Sequence, residues 1–406
     1  MRIESQEIGK TDPVVEIRYP KSDIRDSRPS WGQVFLCFLR LGFVSVRGPE
    51  VQIGMIYLHT VGRRQWLSKE RFNRILEFCL VAPGSEALQV AIFVGYVKRG
   101  LRGGILAGLL FILPGALLMV LLSGLYITYG RMPEVTAALF ILKPTVLGII
   151  MAGVIKLGAA AIRNYLFAAI LVASFAALSF LQTNLLLILI AAGSFNLLVS
   201  HGWPRLQRRI TQLHLFILSS LVLALPSFHP HWLRMAWLFL KTGLFSFGGA
   251  YASLAFLHEG AVGEYRWVST GQLLDGLALS IAVPGPFTLF STYVGYLAGG
   301  LAGAILATFF VLLPSFVFVF VGARYVDNVR NNEWIKSFIA GASAALVGVI
   351  IFITIEIAPL ALAGTATIVI ALTTFLAMAL LKIDVALLAA VAIVGGIGYA
   401  FFNAAA

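Results

Sequence analysis

Apolar runs of about 20 residues recur from residue 31 to the C-terminus, each long enough to cross a bilayer core as a helix. Short polar stretches between them carry most of the charge. No water reaches the middle of a bilayer, so backbone polar groups in such runs must pair internally, as they do in a helix. The apolar–polar alternation of a membrane barrel strand is absent. The pattern predicts an all-α integral membrane protein. Residues 1–30 are polar, of mixed charge and without an apolar leader, and read as a cytoplasmic tail.

The runs repeat at long range. FLRLGFVSVRGPE at 38–50 is matched by FLKTGLFSFGGAY at 239–251, and APGSEALQVAIFVGY at 82–96 by VPGPFTLFSTYVGY at 283–296. Trp66 pairs with Trp267 and Leu113-Pro114 with Leu313-Pro314, so the landmarks recur 200 or 201 residues apart. Apolar composition alone would not keep Gly, Pro and Trp in order, so the chain reads as two related halves, 31–200 and 232–406. The linker, 201–231, holds one further short apolar run. One extra crossing there inverts the second half relative to the first, as in many secondary transporters.

Charge agrees with inversion. The net charge is +12, and it sits unevenly between equivalent loops. The first half has Arg63, Arg64, Lys69, Arg71 and Arg74 where the second has Arg266 against Glu259 and Glu264. Lys98, Arg99 and Arg102 face an uncharged AGGLAG, whereas Arg131 alone faces Arg324, Arg330 and Lys336. By the positive-inside rule the N-terminus and the linker bases Arg205, Arg208 and Arg209 are cytoplasmic. Basic flanks on both sides of 73–97 suit a re-entrant hairpin turning at Pro83-Gly84, with a single broken spanning helix as the other reading. The run 33–58 is read the same way.

Matched Gly/Pro interruptions are the strongest sequence pointer to a transport site. They fall at Arg47-Gly48-Pro49 and Gly248-Gly249, and at Pro83-Gly84 and Pro284-Gly285-Pro286. Each opens a half-helix whose free N–H groups suit an anion. Ser45, Ser85, Ser246, Thr288 and Ser291 lie beside the breaks as candidate hydrogen-bond donors to an oxyanion, and Gln89 follows the second break as a candidate substrate contact. Arg47 and Lys143 are candidates to balance a dianion, and Glu86 to bind and release a coupling proton. A purely structural ion pair is the competing reading for each of these charges. Arg40 and Lys241 are repeat equivalents, and Asp275 and Glu356 carry no assigned role. Cys37 and Cys79 read as buried small hydrophobes. No Walker A, HExxH or basic–aromatic nucleic-acid pattern occurs, so ATP hydrolysis, zinc chemistry and nucleic-acid binding are not expected. No cofactor, resident metal or enzymatic activity is expected.

With FSFGGAY, VPGPFTLFSTYVGY, RLGFVSVRGPE and APGSEALQVAIFVGY at these spacings, the chain resembles the two-domain form of the chromate ion transporter family from about residue 35 onward. The resemblance implies chromate export across the bacterial inner membrane, driven by the proton-motive force and giving chromate resistance. By position it marks Gly48, Pro49, Pro83, Gly84, Glu86, Gln89, Gly248, Gly249, Pro284, Gly285 and Pro286. The chain departs from the family at Val46-Arg47-Gly48, where Phe-Gly-Gly is usual, and at Ser85, where Pro is usual. Chromate and sulfate share shape and charge, so the residues themselves leave sulfate or another oxyanion open, and an anion channel and a homodimer as well.

Overall fold

The computed structural model describes residues 29–45, 48–130, 132–201, 230–246, 250–323 and 332–405. Arg47, Gly248, Gly249 and the linker run lie outside the described residues. Among the described residues there is no strand.

The first half comprises α1 (Trp31–Val44), α2 (Pro49–Tyr57) continued by a π-helical turn (Leu58–Arg63), α3 (Lys69–Val81), α4 (Glu86–Tyr129), α5 (Pro133–Ala161), α6 (Tyr165–Leu181) and α7 (Leu185–His201). The second comprises α8 (His231–Leu244), α9 (Ala250–Leu257) with its π turn (His258–Glu264), and α10 (Thr270–Ile281). A 3₁₀ turn (Phe287–Leu289) then leads into α11 (Phe290–Gly322), followed by α12 (Glu333–Ala361), α13 (Thr365–Ala379) and α14 (Val385–Ala405).

The same local chemistry sets equivalent boundaries. Ser68 caps α3 and Ser269 caps α10 by accepting the N–H three residues on. These are ordinary N-cap bonds, and they satisfy donors the helix cannot. The Trp66 N–H donates to the Thr60 carbonyl at 2.7 Å, and the Trp267 N–H to the Ala261 carbonyl at 2.8 Å. Left-handed backbone recurs in pairs: Gln65 with Arg266, Gly84 with Gly285, Gly100 with Gly300, and Gln182 with Lys382. These conformations are rare for any residue but glycine, so their recurrence carries the duplication into the backbone itself.

α4 is a doubled-back element. Non-helical angles at Arg99 and Gly100 separate an 86–98 arm from the long 101–129 segment. A Cβ at Gly95 would fall 2.4 Å from the Gly103 carbonyl oxygen, so the arm lies backbone to backbone against the segment that follows it. α11 does the same at Gly299 and Gly300, with Gly295 against Gly303. α3 and the 86–98 arm form a hairpin around the Pro83-Gly84 break. Arg71 and Arg74 from its first arm, Lys98 at the end of its second and Arg99 in the break that follows line one cavity of about 1010 Å³.

Among the described residues, four elements are long and apolar enough to cross a membrane: α4, α5, the 287–322 element and α12. Their outward faces are apolar at matched positions. Leu101, Ile105, Leu109, Leu117 and Leu121 are exposed on α4, as are Leu301, Ile305, Phe309, Val317 and Val321 on α11. Continuous apolar surface of this kind suits lipid, not water.

The two halves interlock. α5 packs against α13 and α14 of the second half, and α12 against α6 and α7 of the first. Small residues allow the contact: a Cβ at Gly148 would lie 2.5 Å from the Ala371 carbonyl oxygen, and one at Gly348 2.3 Å from that of Leu171. Backbones approach this closely between membrane helices where glycine permits it.

Candidate functional site

Each of the four sequence breaks is followed by a new helix. α2 starts at Pro49 behind Gly48, with proline at a position whose missing N–H removes no helical bond. α4 starts at Glu86 behind Ser85, and Gly84 has φ +123. α9 starts at Ala250, and the 3₁₀ turn at Phe287 behind Pro286, with Gly285 at φ +111.

The breaks lean on the opposite half. The Gly285 N–H donates to the Ser45 carbonyl at 2.6 Å, and Gln52 Nε2 donates to the Gly285 carbonyl at 2.8 Å and the Ser45 carbonyl at 3.2 Å. The first break of one half is thus stitched to the second break of the other. The Ser85 N–H donates to Ser315 Oγ at 3.1 Å, one residue past Pro314. A Cβ at Gly115, one residue past Pro114, would fall 1.8 Å from the Pro284 carbonyl oxygen. Each Pro-Gly break therefore seats against the Leu-Pro stretch of the other half, where proline has already removed one helical hydrogen bond.

The candidate side chains sort by their place in a helix. Ser45 Oγ donates to the Leu41 carbonyl at 2.5 Å, and Ser246 Oγ to the Thr242 carbonyl at 2.7 Å while also meeting Ser253 Oγ at 2.9 Å. Both sit at helix ends with a carbonyl one turn behind them, so their hydroxyls bond their own helix. Thr288 sits in the 3₁₀ turn that opens this half-helix, with no helical turn behind it, and Ser291 lies just after that turn, at the start of α11. Their hydroxyls are buried and find no partner among the described residues. Gln89 Nε2 donates to the Pro83 carbonyl at 2.6 Å, leaving Oε1 as its unpartnered atom. Ser85 contributes its N–H to a protein contact.

The charged candidates separate as well. Glu86 is half-buried in the first turn of α4, where a carboxylate suits the helix dipole. Glu50 pairs with Lys156 at 2.5 Å on the exposed surface, a type of pair worth at most about 1 kcal/mol. Arg40 is exposed, while its equivalent Lys241 is buried, with Nζ 3.7 Å from Glu259 Oε2. Glu259 Oε1 in turn accepts the Leu185 N–H at 2.7 Å and tethers the start of α7. Lys143 on α5 pairs with Asp275 on α10 at 2.8 Å, and Tyr126 donates its hydroxyl to the other carboxylate oxygen at 2.8 Å.

Gln52, Tyr126 and the role of Asp275 are not singled out by sequence reasoning. An aspartate in an apolar run is the visible signal for the last; its partners lie more than a hundred residues away. Among the described residues no group of three or more metal-ligating side chains occurs.

The chromate transporter family model matches residues 32–197 and 233–399, once in each half. A chromate transport protein of Pseudomonas aeruginosa is 34% identical over 81% of this chain and 81% of its own length. A probable chromate transport protein of Synechococcus elongatus is 30% identical over 77% and 81%, and a chromate transport protein of Cupriavidus metallidurans 28% over 84% and 86%. No solved structure matches the chain.

Proposed function

Because the chain belongs to the chromate transporter family, a family of multi-pass membrane proteins, we propose that it is a secondary active exporter of chromate. In this reading it sits in a bacterial inner membrane with its N-terminus cytoplasmic, draws on the proton-motive force and gives chromate resistance. The observation that carries the reading is the pair of buried, unpartnered hydroxyls of Thr288 and Ser291 at the opening of a half-helix, where the breaks of the two halves meet. Buried hydroxyls are ordinarily satisfied, so two left free beside a helix start await a ligand with acceptor oxygens. Gly48, Pro49, Pro83, Gly84, Gly248, Gly249, Pro284 and Gly285 form the breaks; Arg47 and Lys143 supply positive charge; Glu86 takes a proton.

Flux in everted membrane vesicles tests this. Energised vesicles are expected to accumulate chromate, to lose it when a protonophore is added, and to keep doing so in excess sulfate. Equilibration without accumulation would show a channel instead, and uptake of sulfate in place of chromate would remove the proposed substrate.

The proposed topology has inverted halves and re-entrant α3–α4 and α10–α11 hairpins. Its support is the loop charge bias and the gathering of both hairpin ends, with four basic residues, around one cavity. Arg63 and Glu264 are exposed equivalents, and the native Cys37 and Cys79 are buried. Cysteines placed at 63 and 264 are expected to label with a membrane-impermeant maleimide from opposite faces. Labelling of both from one face would overturn the inversion.

A further inference from the structure

The Lys143–Asp275 pair stands out because the duplicated scaffold does not duplicate it. The repeat equivalent of Lys143 is Ser343, and that of Asp275 is Arg74. Unlike the caps, the left-handed turns and the Pro-Gly seats, which recur in both halves, this pair has no counterpart, and unlike the Lys241–Glu259 pair, whose carboxylate tethers the start of α7, it faces a cavity. Asp275 is nearly buried, at 6% exposure. Its carboxylate meets Lys143 Nζ on one oxygen and the Tyr126 hydroxyl on the other, and the Tyr293 ring lies edge-on to Tyr126 at 5.3 Å. Lys143 and Asp275 together open onto a cavity of about 180 Å³. Its other described lining side chains are uncharged, and Thr136 is the one polar group among them. On the π turn and α12, which both pack against α10, His258 Nε2 lies 3.5 Å from Glu356, and Glu259 meets Lys241 and α7.

A lysine facing a small cavity with a carboxylate already on it is an anion site with its own counter-ion in place. We propose that Asp275 is a proton-binding group that acts as the tethered counter-anion of Lys143: ionised, it holds the ammonium; protonated, it releases Lys143 to an incoming oxyanion. This rests on the reading that Lys143 meets the substrate. The proton comes from water in the cavity and adds to the carboxylate, the Lys143–Asp275 ion pair is lost, and the Lys143–oxyanion pair forms in its place. Proton and oxyanion then bind together, and a dianion that leaves with one proton still carries one net negative charge outward, so the membrane potential drives export. The sign follows: oxyanion affinity falls as pH rises and Asp275 ionises, by at most about tenfold per pH unit for one linked proton.

The test uses the purified full-length protein. Chromate affinity is measured across a pH series above neutrality, and infrared difference spectra between high and low pH are recorded without chromate. Wild type is expected to show falling affinity with rising pH and a carboxylic-acid carbonyl band at low pH. Asp275→Asn is expected to bind at least as tightly as wild type at its best, with a flat pH profile and without that band. Lys143→Gln with Asp275→Asn is expected to bind weakly at every pH. If Asp275→Asn keeps the wild-type slope, or weakens binding as the loss of Lys143 does, the proposal is overturned. Should Asp275→Asn fail to fold, Asp275→Glu must keep a slope, displaced in pH; a flat profile there also overturns it. If wild type binds no chromate at any pH, the proposed substrate fails while the infrared band still decides the proton site: lost in Asp275→Asn it upholds that site, retained it removes it.

Discussion

Adding one methyl group at Gly115 is expected to unfold the protein or strip it of chromate accumulation. The new Cβ of Gly115→Ala would stand 1.8 Å from the Pro284 carbonyl oxygen, with the Leu289 side chain 2.8 Å away. A flexible side chain could swing aside from such a contact. The Pro284 carbonyl cannot, because Gly285 is held by its own bonds to Ser45 and Gln52. Overpacking typically destabilises by about 1–3 kcal/mol and by more where backbone must move, so the effect belongs at or above the top of that range. Gly54→Ala is the matched control: a helical glycine with nothing within 4 Å, where alanine is expected to be neutral or to stabilise by up to about 1 kcal/mol. Thermal midpoints in detergent, read by size-exclusion after heating, compare the two. Equal midpoints would mean that α4 does not seat against the Pro284 break.

Removing the two free hydroxyls is expected to move stability and transport in opposite directions. A buried polar group without a partner destabilises by about 1–3 kcal/mol, so Thr288→Val and Ser291→Ala should each raise the thermal midpoint of the empty protein. The same changes delete hydrogen bonds to a charged ligand, worth about 1.5–3 kcal/mol each, or roughly tenfold or more in chromate affinity. A more stable, chromate-blind transporter is the expected outcome, with midpoints measured with and without chromate. A drop in stability for both variants would show that the hydroxyls have protein partners and are not site groups.

The repeat was legible because Gly, Pro and Trp carry position-specific information that apolar residues do not. The offset joining Trp66 to Trp267 also joins the backbone turns at Gly84 and Gly285. The four breaks were legible for the same reason. Which hydroxyls stay free was not, since Ser246 and Thr288 are alike in sequence and differ in having a helical turn behind them. Nor was the fate of Arg40 and Lys241, one exposed and one buried at the same repeat position. The exchange of α5 and α12 between the halves left no trace in the sequence, because a helix apolar all round does not say which neighbour it meets.

That exchange sets an order in time. α5 leaves the ribosome long before the helices it packs against, α13 and α14, which lie about 200 residues further along the chain. At synthesis rates of about 5–20 residues per second, α5 waits on the order of 10–40 s for them. The first half is therefore inserted before it can be finished, and its Gly148 face stays open in the bilayer until translation of the second half is nearly complete. A chain cut short anywhere before α13 leaves that face bare, a mark by which a membrane protease can tell an aborted product from the complete protein.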